Sequence, residues 1–221
     1  MSTVLYDPIK TMSKITDSVI VGFSTGKESL VVLDLCKKYF KNVYAYFRYA
    51  VPNLSFQEKT LSWYENKYNI EILRLPGTSV CEFFHYGTFR PSDDTFPIIS
   101  DTDLLNYVRI KSGYWWVANG ERIDDSLQRR AMIKHSGTIY EKGGRFYPVA
   151  MWKKREIYDY IKFKHLYLGP DSRELGYSMR LLTPKGLSFV YDKYPEDFEK
   201  VIKLYPLAEA MVKREKEYGQ K

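Results

Sequence analysis

Apolar and polar positions change period along this chain, and each change marks an element. Residues 17–23, "DSVIVGF", form a short bounded apolar run whose β-branched Val19, Ile20 and Val21 suit a buried strand. From residue 28 to 40 the apolar positions shift to Val32, Leu35, Cys36, Tyr39 and Phe40, the spacing of an amphipathic helix. "NVYAYFRY" returns to the strand signal. Residues 55–68 then carry Phe56, Leu61, Trp63, Tyr64 and Tyr68, with Ser55 placed to cap a helix and Glu58 to close a capping box. "NIEILRLP" reads as a third strand, "DLLNYVRIK" as a helix and "GYWWVANG" as a fourth strand. Its adjacent Trp115 and Trp116 point to opposite faces and are expected to pack in the core.

Strand and helix in turn predict an α/β fold: a Rossmann-like parallel sheet with right-handed crossovers and helices on both faces, followed by a helical C-terminal part. In such a sheet ligands gather outside the carboxyl ends of the strands. The turn at residues 24–29 follows the first strand and "GERIDDS" follows the fourth, so both are candidate site loops.

Composition narrows the class. The 221 residues are 44% hydrophobic and 16% aromatic, which excludes a disordered chain. No apolar stretch reaches the ~20 residues of a membrane span, and "MSTVLYDPIKTMSK" has no long apolar core, so a cytosolic protein is expected. Cys36 and Cys81 are the only cysteines, too few for a disulfide framework or a four-thiolate cluster. Both read as small buried hydrophobes. His85, His135 and His165 share no ligand spacing, which argues against zinc. The net charge of +7 is local: residues 122–185 hold 14 basic and 7 acidic side chains, whereas the flanking segments balance. That excess suits a polyphosphate or nucleic-acid site, or a solvated face. "WKKREIYDYIKFKH" likewise fits a helix with an apolar Ile157, Tyr160 and Ile161 face, or a nucleic-acid surface; the tail "EAMVKREKEYGQK" reads as a frayed helix end.

The Gly26-Lys27 pair is not a Walker loop: Val21 stands where the first glycine belongs, and Glu28 where the hydroxyl belongs. What remains is Ser24-Thr25-Gly26-Lys27-Glu28-Ser29 around a helix start. Free backbone N–H groups, the helix dipole and two hydroxyls there suit either an anion site or a plain helix cap.

This turn resembles the pyrophosphate-binding loop, Ser-Gly-Gly-x-Asp-Ser, of the ATP pyrophosphatase and phosphoadenylyl-sulfate (PAPS) reductase superfamily. Gly120, Arg122, Asp125, Ser126 and Arg129 are similar to its Gly-x-Arg-x-x-Glu-Ser-x-x-Arg pattern. Pro148 to Trp152, then Glu156-Ile157-Tyr158 and Tyr160-Ile161, resemble the segment that follows. The departures are Thr25 for the first glycine, Glu28 for Asp, and "YFRYAVPN" where reductases carry Asp-Thr-Gly. Gly176-Tyr177-Ser178-Met179-Arg180-Leu181 stands where cluster-bearing relatives have Gly-Cys-x-x-Cys-Thr.

The resemblance implies a nucleotide-binding domain over residues 1–185 with a helical extension over 186–221, and no iron–sulfur cluster. It also implies cleavage of ATP between the α and β phosphates. Ser24, Thr25, Gly26, Lys27, Glu28, Ser29, Gly120, Arg122, Ser126 and Arg129 would hold ATP or PAPS. Lys27, Arg122 and Arg129 would offset the leaving charge, and Glu28 and Asp125 would hold Mg²⁺. The tail "KREKEYGQK" lacks the Glu-Cys-Gly-like thiol of reductases, so sulfur reduction is not expected. Two alternatives stand beside the adenylating enzyme: a non-catalytic nucleotide-binding module, and a protein that binds tRNA or DNA through residues 122–185. An ion pair of Arg122 and Arg129 with Asp124 or Asp125 is the structural alternative for the two arginines. A second copy of the chain is a candidate partner; a membrane is not.

Overall fold

In a computed structural model, which describes residues 7–179 and 182–218, the chain alternates as its pattern predicts. The elements are α1 (Asp7–Ile15), β1 (Ser18–Gly22), α2 (Lys27–Tyr39), β2 (Asn42–Tyr49), α3 (Ser55–Tyr68), β3 (Ile72–Pro76), α4 (Thr78–Tyr86), α5 (Asp101–Ser112), β4 (Val117–Ala118), α6 (Leu127–Ser136), β5 (Ile139–Tyr140), β6 (Arg145–Phe146), α7 (Lys154–Phe163), α8 (Pro170–Glu174), α9 (Pro184–Lys193), α10 (Pro195–Leu204) and α11 (Ala208–Tyr218). The six strands form one sheet in the order β3-β2-β1-β4-β6-β5. All neighbours run parallel except β5 against β6.

Period-2 alternation divides the sheet's residues between two layers. Val19, Val21, Ala45, Phe47, Ala118 and Phe146 join α2, α3 and α7 in one core. Ile20, Tyr46 and Val117 face the opposite way, onto Leu104, Leu105 and Val108 of α5. Helices therefore cover both faces. A second core lies past the carboxyl end of β2, where Ala50, Val51, Leu54 and Phe56 meet Leu187, Val190, Val201 and Tyr205 of the C-terminal helices. The expected boundary at residues 185 and 186 falls inside α9.

Several local expectations are corrected. Leu54, not Ser55, is the N-cap of α3. Ser55 donates both its N–H and its hydroxyl to Asp197 Oδ2, each at 2.7 Å, so a residue from α10 supplies the acceptor. Glu58 pairs with Arg74 instead of closing a box; a capping box forms instead between Ser100 and Asp103, at the start of α5. The fourth strand pairs over only Val117 and Ala118. Trp116 packs against the core, whereas Trp115 is 51% exposed beneath the Arg109 guanidinium, 3.9 Å from its ring centroid.

Candidate active site

β1 ends at Gly22 and the chain must turn at once to start α2. Thr25 makes that turn with φ of 60°, the left-handed region in which a β-branched residue is strained. Its own hydroxyl donates to Ser24 O at 2.6 Å, and Ser172 Oγ donates to Thr25 O at 3.3 Å from α8. Ser29 Oγ donates to Gly26 O at 2.8 Å and accepts from the Ser24 N–H and hydroxyl, both at 3.2 Å. Ser29 thus ties the turn together from inside. Asp171 fixes the layer behind, accepting from Met179 N–H at 2.9 Å and Ser172 N–H at 2.8 Å; burial raises its carboxyl above the usual range.

Gly26, the N-cap of α2, makes no side-chain cap bond. The N–H groups of Lys27, Glu28 and Ser29 have no acceptor among the described residues. Their open end lies at a cavity of about 420 Å³ lined by Gly22, Phe23, Ser24, Gly26, Lys27, Glu28, Ser29, Tyr46, Arg48, Asn119, Gly120, Glu121, Asp125, Arg129, Tyr177, Ser178 and Thr183. A bare helix start facing a cavity has the geometry that receives an anion.

The β4–α6 loop reaches this helix because Gly120 has no side chain: a Cβ there would sit 3.1 Å from Glu28 Cβ and 3.3 Å from Ser29 N. Close approach brings Arg122 under the turn, where it is 5% exposed. Its Nη2 lies 2.6 Å from Asp125 Oδ1 and 3.3 Å from Glu28 Oε1, and Nη1 donates to Trp152 O at 3.2 Å. Asp125 Oδ2 takes Arg129 Nη1 at 3.1 Å and the Arg122 N–H at 2.9 Å. Lys27 Nζ is 3.3 Å from Glu28 Oε1 and donates to Gly176 O at 3.3 Å.

Of the residues singled out in the sequence, Ser24, Gly26, Lys27, Glu28, Ser29, Gly120, Asp125 and Arg129 line the cavity together. Thr25, Arg122 and Ser126 do not line it: Thr25 sets the turn, Arg122 clamps two carboxylates from below, and Ser126 Oγ caps α6 by accepting from Arg129 N–H. The ion pairs that stood as the structural alternative for the two arginines form, Arg122 and Arg129 each meeting Asp125. Sequence reasoning missed Tyr46, Arg48, Asn119 and Glu121, which also line the cavity. Their signal was positional only: Tyr46 and Arg48 lie in the second half of β2, and Asn119 and Glu121 in the loop that leaves β4. Of the segment from Gly176 to Leu181, Tyr177 and Ser178 line the cavity, while Arg180 and Leu181 lie outside the described residues.

For Mg²⁺ the donor set is thin. Among the described residues no three His, Cys, Asp or Glu gather as a metal site. Asp125 gives both oxygens to Arg122 and Arg129, whereas Glu28 makes both its ion pairs through Oε1 and keeps Oε2. A metal held chiefly by phosphate oxygens and water needs no more than that one carboxylate.

The sheet, the uncapped helix start after β1 and the arginine loop after β4 define an α/β protein with an anion-receptive cavity at its strand ends, and comparison with known proteins narrows the class. The chain belongs to the phosphoadenosine phosphosulfate reductase domain family, whose model matches residues 18–170. No curated protein sequence matches it significantly. Among solved structures it is similar to the NH3-dependent NAD synthetase of Campylobacter jejuni in complex with nitrate, with a TM-score of 0.52 and 18% identity over 99% of this chain and 94% of that one. It is also similar to the PAPS reductase of Candida auris in its phosphate complex, with a TM-score of 0.50 and 14% identity over 82% of this chain and 95% of that one. These likenesses show the fold. Among the described residues no helix is long and apolar enough to cross a membrane.

Proposed function

We propose that this protein is an ATP pyrophosphatase or adenylyltransferase, cleaving ATP between its α and β phosphates to activate an acceptor, without thiol reductase activity. One observation carries this reading: the uncapped N-terminus of α2, Lys27 and Arg129 converge on one cavity at the end of β1. The open N–H groups and Lys27 would hold the pyrophosphate, and Arg129 would offset the charge that grows as it leaves. Arg122 acts at one remove, aiming Glu28 and Asp125. Mg²⁺, when bound through Glu28, would neutralise charge on the phosphates. An acceptor oxygen attacks the α-phosphorus, the bond to the bridging oxygen breaks, and pyrophosphate departs with that electron pair. Positioning and electrostatics supply the catalysis.

The cysteines support the exclusion of thiol chemistry. Cys36 and Cys81 are both buried, neither lines the cavity, and burial pushes both thiols up, away from the thiolate that would attack sulfur.

The test is Lys27→Ala, with binding of ATP and pyrophosphate measured by calorimetry and turnover by α-labelled ATP. The variant is expected to lose about 1 to 3 kcal/mol of binding, since it removes a charge-assisted contact to the ligand, and to lose less in stability, through the contacts of Lys27 to Glu28 and Gly176. A chain that binds ATP but never releases pyrophosphate from it would establish the non-catalytic alternative, which the strained Thr25 favours.

A further inference from the structure

A capping side chain acts from one place: its Cβ leaves the N-cap backbone toward the open end of the helix, and an oxygen one bond further on accepts from the second or third N–H. At α2 that slot is open, because the N-cap is Gly26, whose φ of −77° and ψ of 154° are the extended geometry of an N-cap. A Cβ built on Gly26 would lie 3.1 Å from Ser178 Oγ and 3.3 Å from Ser24 Oγ. Two hydroxyls therefore border the slot that a capping oxygen would fill. They are not alike. Ser24 Oγ already donates to Ser29 Oγ at 3.2 Å. Ser178 lines the cavity, and its hydroxyl has no hydrogen-bond partner among the described residues. It does not cap α2 itself, since it accepts from none of the first N–H groups of that helix.

The residues around Ser178 are tied down. Gly176 O accepts from Lys27 Nζ at 3.3 Å, and Tyr177 OH meets Thr183 Oγ1 at 3.2 Å. Met179 is buried in the core that the C-terminal helices complete; its N–H donates to Asp171 Oδ2 at 2.9 Å, and its carbonyl accepts from Gln57 Nε2 at 2.8 Å. A free hydroxyl is thus held beside open N–H groups. An anion in the slot would accept from the helix on one side and from this hydroxyl on the other. We propose that Ser178 is a phosphate-contact residue, its hydroxyl donating to an oxygen of the ligand's pyrophosphate seated in the N-cap slot of α2. The C-terminal helices then serve the site, because their core pins Met179 and with it Ser178. This rests on the reading above that the turn holds the phosphates.

Two substitutions test the contact and the reading separately. Ser178→Ala removes a hydroxyl that holds nothing else in the chain. Calorimetry on the full chain is expected to show inorganic pyrophosphate and ATP each bound about tenfold more weakly, with the melting temperature unchanged. Gly26→Ser puts a capping hydroxyl into the slot itself, so it should weaken both ligands more than Ser178→Ala does, by competing for the same N–H groups. Weaker binding in Gly26→Ser with none in Ser178→Ala would keep the phosphates at the turn and remove Ser178 from the contact. A lower melting temperature in Ser178→Ala would show that the hydroxyl holds the fold, and would also overturn the assignment. Should Gly26→Ser fail to fold, Ser178→Ala decides the contact by itself. If the wild-type chain binds neither pyrophosphate nor ATP, or if folded Gly26→Ser binds both as wild type does, the reading of the turn fails and this inference falls with it.

Discussion

α2 and α6 flank the same cavity and are held in place very differently. α2 buries Ser29, Leu30, Val31, Val32, Leu33, Leu35 and Cys36 against the sheet. α6, about three-quarters as long, buries Ile133 alone, and its Leu127 is 80% exposed. The opening of a segment costs in proportion to the apolar contacts it gives up, so α6 belongs to the low-stability end of the molecule and α2 to the high end. The division suits a nucleotide site. The backbone N–H groups that would meet phosphate stand on the rigid helix, ordered before any ligand arrives, while Arg129 stands on the helix that can adjust. Between them Arg122 bridges Glu28 of α2 to Asp125, just before α6.

That bridge is where the comparison breaks most sharply. Arg122→Ala is expected to destabilise the chain by about 1.5 to 3 kcal/mol, because it removes the buried cation that two carboxylates share and leaves Glu28 only Lys27 and Asp125 only Arg129. Arg129 makes the same kind of pair with its side chain 41% exposed, so Arg129→Ala should cost under about 1 kcal/mol of stability while weakening nucleotide binding. Urea unfolding of both variants decides this; equal losses would mean that Arg122 is not the clamp between the helices.

The same contrast explains what could be read from the residues in order. β1, the turn and α2 were legible because each signal is local: a β-branched run, a cluster of small and hydroxyl residues, then a helical period. The motif match also found the loop after β4. The rest of the lining was not legible, since Tyr46 and Asn119 meet only when β1 pairs with β2 and β4, and Glu121 occupies a slot the motif leaves open. Ser55 failed as a cap because the acceptor for its N–H comes from Asp197, 142 residues further on. β5 and β6 are two residues each, too short to show any period.

A second measurement sharpens the difference between the helices. Leu33→Ala opens a cavity in the main core and should cost about 2 to 5 kcal/mol of global stability. Ile133→Ala removes the one buried anchor of α6, which packs with Tyr147 and Ala150 in a small separate cluster. It should cost less globally, on the order of 1 to 2 kcal/mol, because so small a cluster collapses around the lost side chain more readily than the main core does. Its larger effect should be on amide exchange across residues 127–136, which should quicken while α2 stays protected. Uniform quickening in both helices would show that they open together.

Thr25 gives a smaller effect with a sign that matters. Thr25→Gly releases left-handed strain of about 1 to 2 kcal/mol. It also gives back about 0.5 to 1 kcal/mol of chain entropy and loses the hydroxyl's bond to Ser24 O along with a buried methyl. These terms leave a net change within about 1 kcal/mol. Thr25→Val keeps the strain and loses only the bond, so it should fall about 0.5 to 1.5 kcal/mol below wild type. Thermal unfolding of the two variants separates them, and a Gly variant less stable than the Val variant would place the turn's stability in side-chain packing and not in its backbone.

The smallest expected effect concerns the basic residues that the site leaves outside. Lys153, Lys154 and Arg155 are exposed at the start of α7, and none lines the cavity. Replacing all three with Glu puts acidic groups at the positive end of that helix, where they are favourable, so the fold should be unharmed. Mononucleotide binding should be unchanged as well, because the cavity's cations, Lys27, Arg48 and Arg129, are untouched. Affinity for tRNA or DNA, if exposed bases attract either, should fall with this change and with rising salt, since such contacts act by counterion release. Calorimetry with ATP beside salt-dependent binding of tRNA and of DNA measures both. A loss of mononucleotide binding equal to that of Arg129→Ala would merge the two sets of charges into one surface and undo the separation of α6, which serves the cavity, from the outer face of α7.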